Sequence, residues 1–93
     1  MWYIYIIECN DNTLYTGITT DMQRRIKEHN NKKGGSYTRT RLPVSLVYNE
    51  TCSTRSAALK REAQIKRWSK QKKLALIKQD SSALIALSKS RDS

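Results

Sequence analysis

Two phenols, Tyr5 and Tyr15, an arginine and the single histidine one helical turn apart, Arg25 and His29, and a lone carboxylate, Glu62, are the side chains with chemistry to offer. A phenol or imidazole can take a proton from an attacking water. A guanidinium can hold the charge that gathers on a phosphate in a transition state. One carboxylate is enough to hold a Mg²⁺ ion whose other ligands are waters and phosphate oxygens. Together these groups suit hydrolysis of a phosphodiester. A free phenol titrates at about 10, so nearby positive charge must lower that value before a tyrosine is useful as a base.

Each residue also has an ordinary structural explanation. Tyr3, Tyr5 and Tyr15 suit strands and core packing, and His29 can sit on a helix flank without a role. Glu62 can be one half of a buried salt bridge to Arg25 or to an arginine of the following loop. The basic run from Lys66 to Lys73 can be a solvated face.

The elements that must carry these groups are readable from pattern. Trp2 to Cys9 is rich in Ile, Tyr and Trp and reads as a strand. Asn10 to Thr13 carries turn chemistry, and Leu14 to Ile18 returns as a second, antiparallel strand. Alternation puts Tyr3, Tyr5 and Ile7 on one face and Trp2, Ile4 and Ile6 on the other. Both faces are apolar, so this strand is central and covered on both sides. Thr20 and Gln23 have the spacing of a capping box, which starts a helix that runs to about Asn30 and ends before Gly34-Gly35. Lys32 to Arg41 is a basic loop, mobile or with a short helical turn near Tyr37-Thr38-Arg39. Pro43 introduces a third strand, Val44 to Thr51. A second helix runs from Ser53 or Thr54 to about Trp68, and Ser69 caps a third, Lys70 to Lys78.

The resulting order, β-β-α-β-α-α, is an α+β fold in which a small sheet carries packed helices. On the second helix the apolar stripe is Ala58, Leu59 and Ile65, flanked by Trp68, and Glu62 falls between Ala58 and Ile65. A carboxylate on an inward face is costly unless it is paired or holds a metal. On the first helix Arg25 and His29 border the stripe formed by Met22 and Ile26.

These residues resemble the GIY-YIG nuclease family, which includes the N-terminal domain of UvrC. Tyr3-Ile4-Tyr5 stands where the family has Gly-Ile-Tyr, and Tyr15-Thr16-Gly17 where it has Tyr-Ile-Gly. Arg25 and His29 keep the family's Arg-x-x-x-His spacing, and Glu62 matches its metal-binding glutamate. The resemblance runs from Trp2 to Ile77 and is closest to short, stand-alone bacterial members, relatives of the nuclease subunit of structure-specific endonucleases. It implies a three-stranded antiparallel sheet flanked by helices and cleavage of DNA that depends on Mg²⁺ or Mn²⁺. It also implies roles: Tyr15 as general base or water-orienting phenol, Tyr5 as its partner, Arg25 on the phosphate, Glu62 on one metal ion, and His29 in proton transfer or substrate binding. Tyr3 replaces the family's first glycine. Ile18 stands where UvrC-like members carry a lysine, a charge that Lys27, Lys32 or Lys33 would replace.

Composition sets the outer bounds. The 93 residues make room for one domain, residues 1–79, followed by a flexible, Ser-rich tail over 80–93 in which Ala83 to Leu87 is the one helical candidate. With 18 Lys and Arg against 8 Asp and Glu the formal charge is +10, which favours a polyanionic partner. Contacts to DNA phosphates would come from Lys32, Lys33, Arg39 and Arg41 of the loop and from Arg61, Lys66, Arg67, Lys70, Lys72 and Lys73 of the helices. Such contacts read backbone or shape rather than bases. Cys9 and Cys52, without a Cys/His cluster, exclude a structural zinc site and point to reduced thiols and the cytoplasm. The N-terminal run is interrupted by Tyr3, Tyr5 and Glu8 and reads as neither signal peptide nor membrane span. The favoured function is a metal-dependent endonuclease acting on branched, nicked or single-stranded DNA. The alternatives are a catalytically inactive nucleic-acid-binding module with the same fold, and an RNA- or ribosome-associated protein.

Overall fold

In the computed structural model, which describes residues 1–31 and 40–79, the N-terminal apolar run forms strand β1, Trp2–Glu8. Strand β2, Leu14–Thr19, and strand β3, Ser45–Cys52, pair antiparallel with it on either side, in the order β2-β1-β3. Helices α1, Met22–Asn30, α2, Arg55–Lys66, and α3, Lys70–Ile77, complete the β-β-α-β-α-α order. The fold class is therefore α+β, as the sequence pattern implies. The central part of the basic loop and the tail over 80–93 lie outside the described residues, and with them Lys32, Lys33 and Arg39.

Both faces of β1 are covered, which is why both are apolar. Ile4 and Ile6 pack with Ala58, Ile65 and Leu76 of α2 and α3. Tyr5 and Ile7 pack on the other side with Cys9 and Val44, against Tyr15 and against Met22 and Ile26 of α1. Ile4, Ile6, Ile7 and Ile65 are wholly buried. Each such burial contributes about 1.5–3 kcal/mol, against roughly 0–1 kcal/mol for an exposed ion pair, so the two apolar layers dominate the stability. The pairing with β3 skips a residue between Ile6, opposite Tyr48, and Ile7, opposite Leu46. This bulge lets Val47 and Tyr48 both pack on the α2–α3 side.

The β1–β2 turn is closed by local polar groups. The Cys9 amide donates to the Thr13 carbonyl, and the Thr13 hydroxyl donates to the Asp11 carboxylate at 2.6 Å. Asn12 takes a left-handed conformation at φ 66°, which asparagine tolerates better than most residues. At α1 the expected cap is displaced by one residue: Asp21, not Thr20, accepts from the Arg24 amide at 3.1 Å. An ionised carboxylate is the stronger acceptor at a helix N-terminus, and Thr19 holds the Asp21 backbone in place. Thr54 and Ser69 cap α2 and α3 as their side chains suggest. Leu59 departs from expectation, being exposed; it lies about 100° round the helix from Ala58, so the inward stripe is Ala58, Glu62 and Ile65. Cys9 and Cys52 are free thiols. Among the described residues no helix is long and apolar enough to cross a membrane.

Candidate active site

Tyr5 sits at the centre of β1, directly opposite Gly17 of β2. The end of its ring covers that glycine: a Cβ at position 17 would stand 2.6 Å from Tyr5 Cζ and closer still to the hydroxyl. Gly17 is thus required for space, and the notch it leaves lets the phenol extend across β2 toward the open edge of the sheet.

Helix α1 brings two partners to that hydroxyl. Arg25 Nε donates to Tyr5 Oη at 3.2 Å, and Tyr5 Oη lies 3.0 Å from His29 Nε2. His29 is 0% exposed. Burial first, and then the Arg25 charge, push its pKa down to about 4, against a small opposing effect of Glu28. The imidazole is therefore neutral at pH 7. The Tyr5 oxygen accepts from Arg25, and the direction of its bond with Nε2 follows the imidazole tautomer. Burial also raises the Tyr5 pKa, outweighing the hydrogen bond and charge of Arg25; the charges of Tyr15 and Glu62 raise it further. The expectation that positive surroundings make these phenols acidic thus fails at Tyr5, because desolvation wins. Tyr5 keeps its proton.

Tyr15, opposite Ile7 on β2, completes a three-ring cluster. Its ring centroid is 5.6 Å from His29, edge-on, and 6.4 Å from Tyr5. Unlike Tyr5 it is only partly buried. Arg25 is likewise half-exposed and pairs with Glu28 at 3.3 Å. Glu28 was not singled out in the sequence; its i+3 spacing from Arg25 was the available signal.

Glu62 arrives from the other layer. Helix α2 packs on the Ile4–Ile6 face, opposite α1, yet its contacts reach β2 as well as β1 and β3. The Glu62 side chain is 18% exposed and its partner is Lys66 Nζ at 3.5 Å, neither Arg25, which pairs with Glu28, nor Arg41, which pairs with Asp11. The same Lys66 ammonium stands 5.9 Å over the Tyr15 ring. Glu62 and Tyr15 thus share a neighbour, and the Glu62 charge is felt at Tyr5. The groups gather around the β2 edge, rather than over the middle of one face.

The candidate phosphate-binding residues divide. Arg61 is committed elsewhere: its Nε and Nη2 hold both Glu50 oxygens at 2.9 and 2.7 Å, Nη1 holds Gln64, and the guanidinium lies 5.2 Å over Trp68. It ties α2 to β3. Lys72 is 2% exposed, with its ammonium 4.2 Å over Trp68. Arg41 binds Asp11, and its carbonyl accepts from Asn10, fastening the loop's end to the hairpin tip. Lys27 lines a groove with Met22, Gln23, Ile26 and Leu46, on the β3 side of α1. Lys66 and Lys70 lie at the β2 edge, Lys70 donating to the Asn12 carbonyl at 2.9 Å. Arg67 is exposed at the end of α2.

Among the described residues no three His, Cys, Asp or Glu side chains converge as a ligand cage, whereas a single inward carboxylate suits Mg²⁺ or Mn²⁺, which keep waters and phosphate oxygens as their other ligands. Glu62 fits that group.

Comparison with known proteins agrees with this geometry. The family model described as the GIY-YIG catalytic domain matches residues 1–75. UPF0213 protein DP2720 of Desulfotalea psychrophila is 58% identical over 83% of this chain and 71% of its own. UPF0213 protein SSP2268 of Staphylococcus saprophyticus is 56% identical over 81% of this chain and 92% of its own. The solution NMR structure of the UPF0213 protein BH0048 from Bacillus halodurans is 42% identical, with 86% of each chain covered and a TM-score of 0.56. None of these names states a reaction. The matched family model spans every residue of the constellation from Tyr5 to Glu62, and the chain belongs to the GIY-YIG nuclease family.

Proposed function

We propose that this protein is a metal-dependent endonuclease that hydrolyses phosphodiester bonds in branched, nicked or single-stranded DNA. The observation that carries the reading is the chain Arg25–Tyr5–His29, which holds a partly exposed guanidinium on two buried rings beside Tyr15.

In this reading each group has one task. His29, neutral and buried, takes the Tyr5 proton in a hydrogen bond. That bond turns the Tyr5 lone pairs toward Arg25 and fixes the guanidinium, which meets a non-bridging phosphate oxygen and steadies developing charge. His29 and Tyr5 are then positioning residues. Tyr15, only partly buried, orients the attacking water or accepts its proton. A Mg²⁺ or Mn²⁺ ion on Glu62, when bound, supplies Lewis-acid stabilisation of the phosphate. The net charge of +10 draws the polyanion to the site.

Cleavage of labelled flaps, forks and single strands in Mg²⁺ or Mn²⁺, with an EDTA control, tests the proposal. Cutting is expected with metal and absent with EDTA, and Glu62→Ala is expected to abolish it while sparing DNA binding. Full activity of Glu62→Ala would remove the metal assignment.

A further inference from the structure

The hairpin edge carries a cationic group that this chemistry leaves without a task. Lys70, in the first turn of α3, reaches the Asn12 carbonyl at the tip of the β1–β2 turn. Lys73 lies three residues on, along the same face of α3 as Lys70. Lys66, in the last turn of α2, stands over the Tyr15 ring and holds Glu62. Lys66 and Lys70 thus reach the β1–β2 hairpin from two helices.

Lys73 is the unusual member. It is partly buried, and among the described residues its side chain makes no hydrogen bond or ion pair. Burial and the charge of Lys66 both lower its pKa from the ordinary value. Two positive charges that act on one another, one of them on a partly buried side chain, are unfavourable until an anion joins them. Among the described residues Lys73 has no carboxylate partner, Glu62 being engaged with Lys66, so an anion from solution can join the two ammonium groups. A phosphodiester has the charge and the two free oxygens to meet both ammonium groups.

We propose that Lys66 and Lys73 form a phosphate-holding pair at the β2 edge, which seats a DNA phosphodiester beside Tyr15 and Glu62. The pair rests on the nuclease reading above and adds to it the residues that place the substrate. Lys72, adjacent in sequence, takes no part because its ammonium is spent on Trp68.

The experiment uses the full chain with Glu62→Gln, to suppress cutting, and a fluorescent forked duplex. Affinity is followed by anisotropy across a salt series. Lys73→Met and Lys66→Met are each expected to reduce the slope of log affinity against log salt by about 0.9, the value for one lost phosphate contact. Lys73→Arg should restore it, which a merely structural role would not explain. In the cleaving chain, Lys73→Met should raise KM more than it lowers kcat. Melting by circular dichroism verifies folding, and Lys73→Gln replaces Lys73→Met if the latter fails to fold. Unchanged slopes in folded variants, beside a parent that binds and cuts, would overturn the pair alone. A parent chain that neither binds nor cuts DNA would overturn both the pair and the nuclease reading.

Discussion

Gly17→Ala changes one hydrogen into a methyl group, and the structure lets its cost be worked out. The new Cβ would stand 2.6 Å from Tyr5 Cζ, so the ring must move. Forcing a methyl into a filled site costs about 1–3 kcal/mol. Displacing the hydroxyl also breaks the bonds to Arg25 and His29, and a buried acceptor deprived of its donor adds about 1–3 kcal/mol. Alanine returns roughly 0.5–1 kcal/mol through its lower chain entropy in a strand. The net is a loss of about 1–5 kcal/mol, centred near 3 kcal/mol. With a urea dependence of about 1.5 kcal/mol/M the midpoint falls by roughly 2 M, readable by the fluorescence of Trp2 and Trp68. The decisive measurement repeats the substitution in a Tyr5→Leu background, where the side chain ends before the clashing atoms. There Gly17→Ala should be neutral or slightly stabilising. Equal costs in both backgrounds would refute the account, since the glycine would then matter for some reason other than the ring above it.

Two further outcomes follow from the same contacts. His29 has its pKa pushed down to about 4 from 6.5, so the unfolded chain binds a proton that the native state refuses; stability is full above the higher value and falls by up to about 3 kcal/mol as pH drops toward the lower one. Urea midpoints across that window should slope more steeply for the parent than for His29→Asn, and equal slopes would remove the buried neutral imidazole. Arg61→Met should cost about 1–3 kcal/mol by leaving Glu50 without its two-pronged partner, with no change in the salt dependence of DNA binding; a slope reduced by about 0.9 would make Arg61 a phosphate contact after all.

The sheet was legible because its central strand is apolar on alternate residues of both faces, a pattern with few other uses. Thr54 and Ser69 were legible as caps for the same local reason. Thr20 misled, because Asp21 beside it offers a charged acceptor and Thr19 already engages its backbone. For the site, turn spacing alone brings Arg25 and His29 to one side of a helix. It also shows that Glu62 points inward, but cannot say past which edge of the sheet. Nor can charge counting rank Lys72 against Lys73 or separate Arg61 from Lys66. Those outcomes depend on Trp68 and on the register that sets Glu50 beside α2. The Tyr5 pKa was out of reach for a related reason: desolvation and the Arg25 charge oppose each other, and only the packed environment decides between them.

The double covering of β1 has a consequence for how the chain finds its alignment. Where one side of a strand meets water, a slip by one residue exposes the core and is rejected at once. Here a slip would merely exchange one apolar row for another, and oiliness alone could not tell right from wrong. What can tell is the fit of a single bulky ring into a side-chain-free slot, with a hydroxyl that only Arg25 and His29 can satisfy. The same few atoms that ready the protein for chemistry also act as the key that locks its strands in frame.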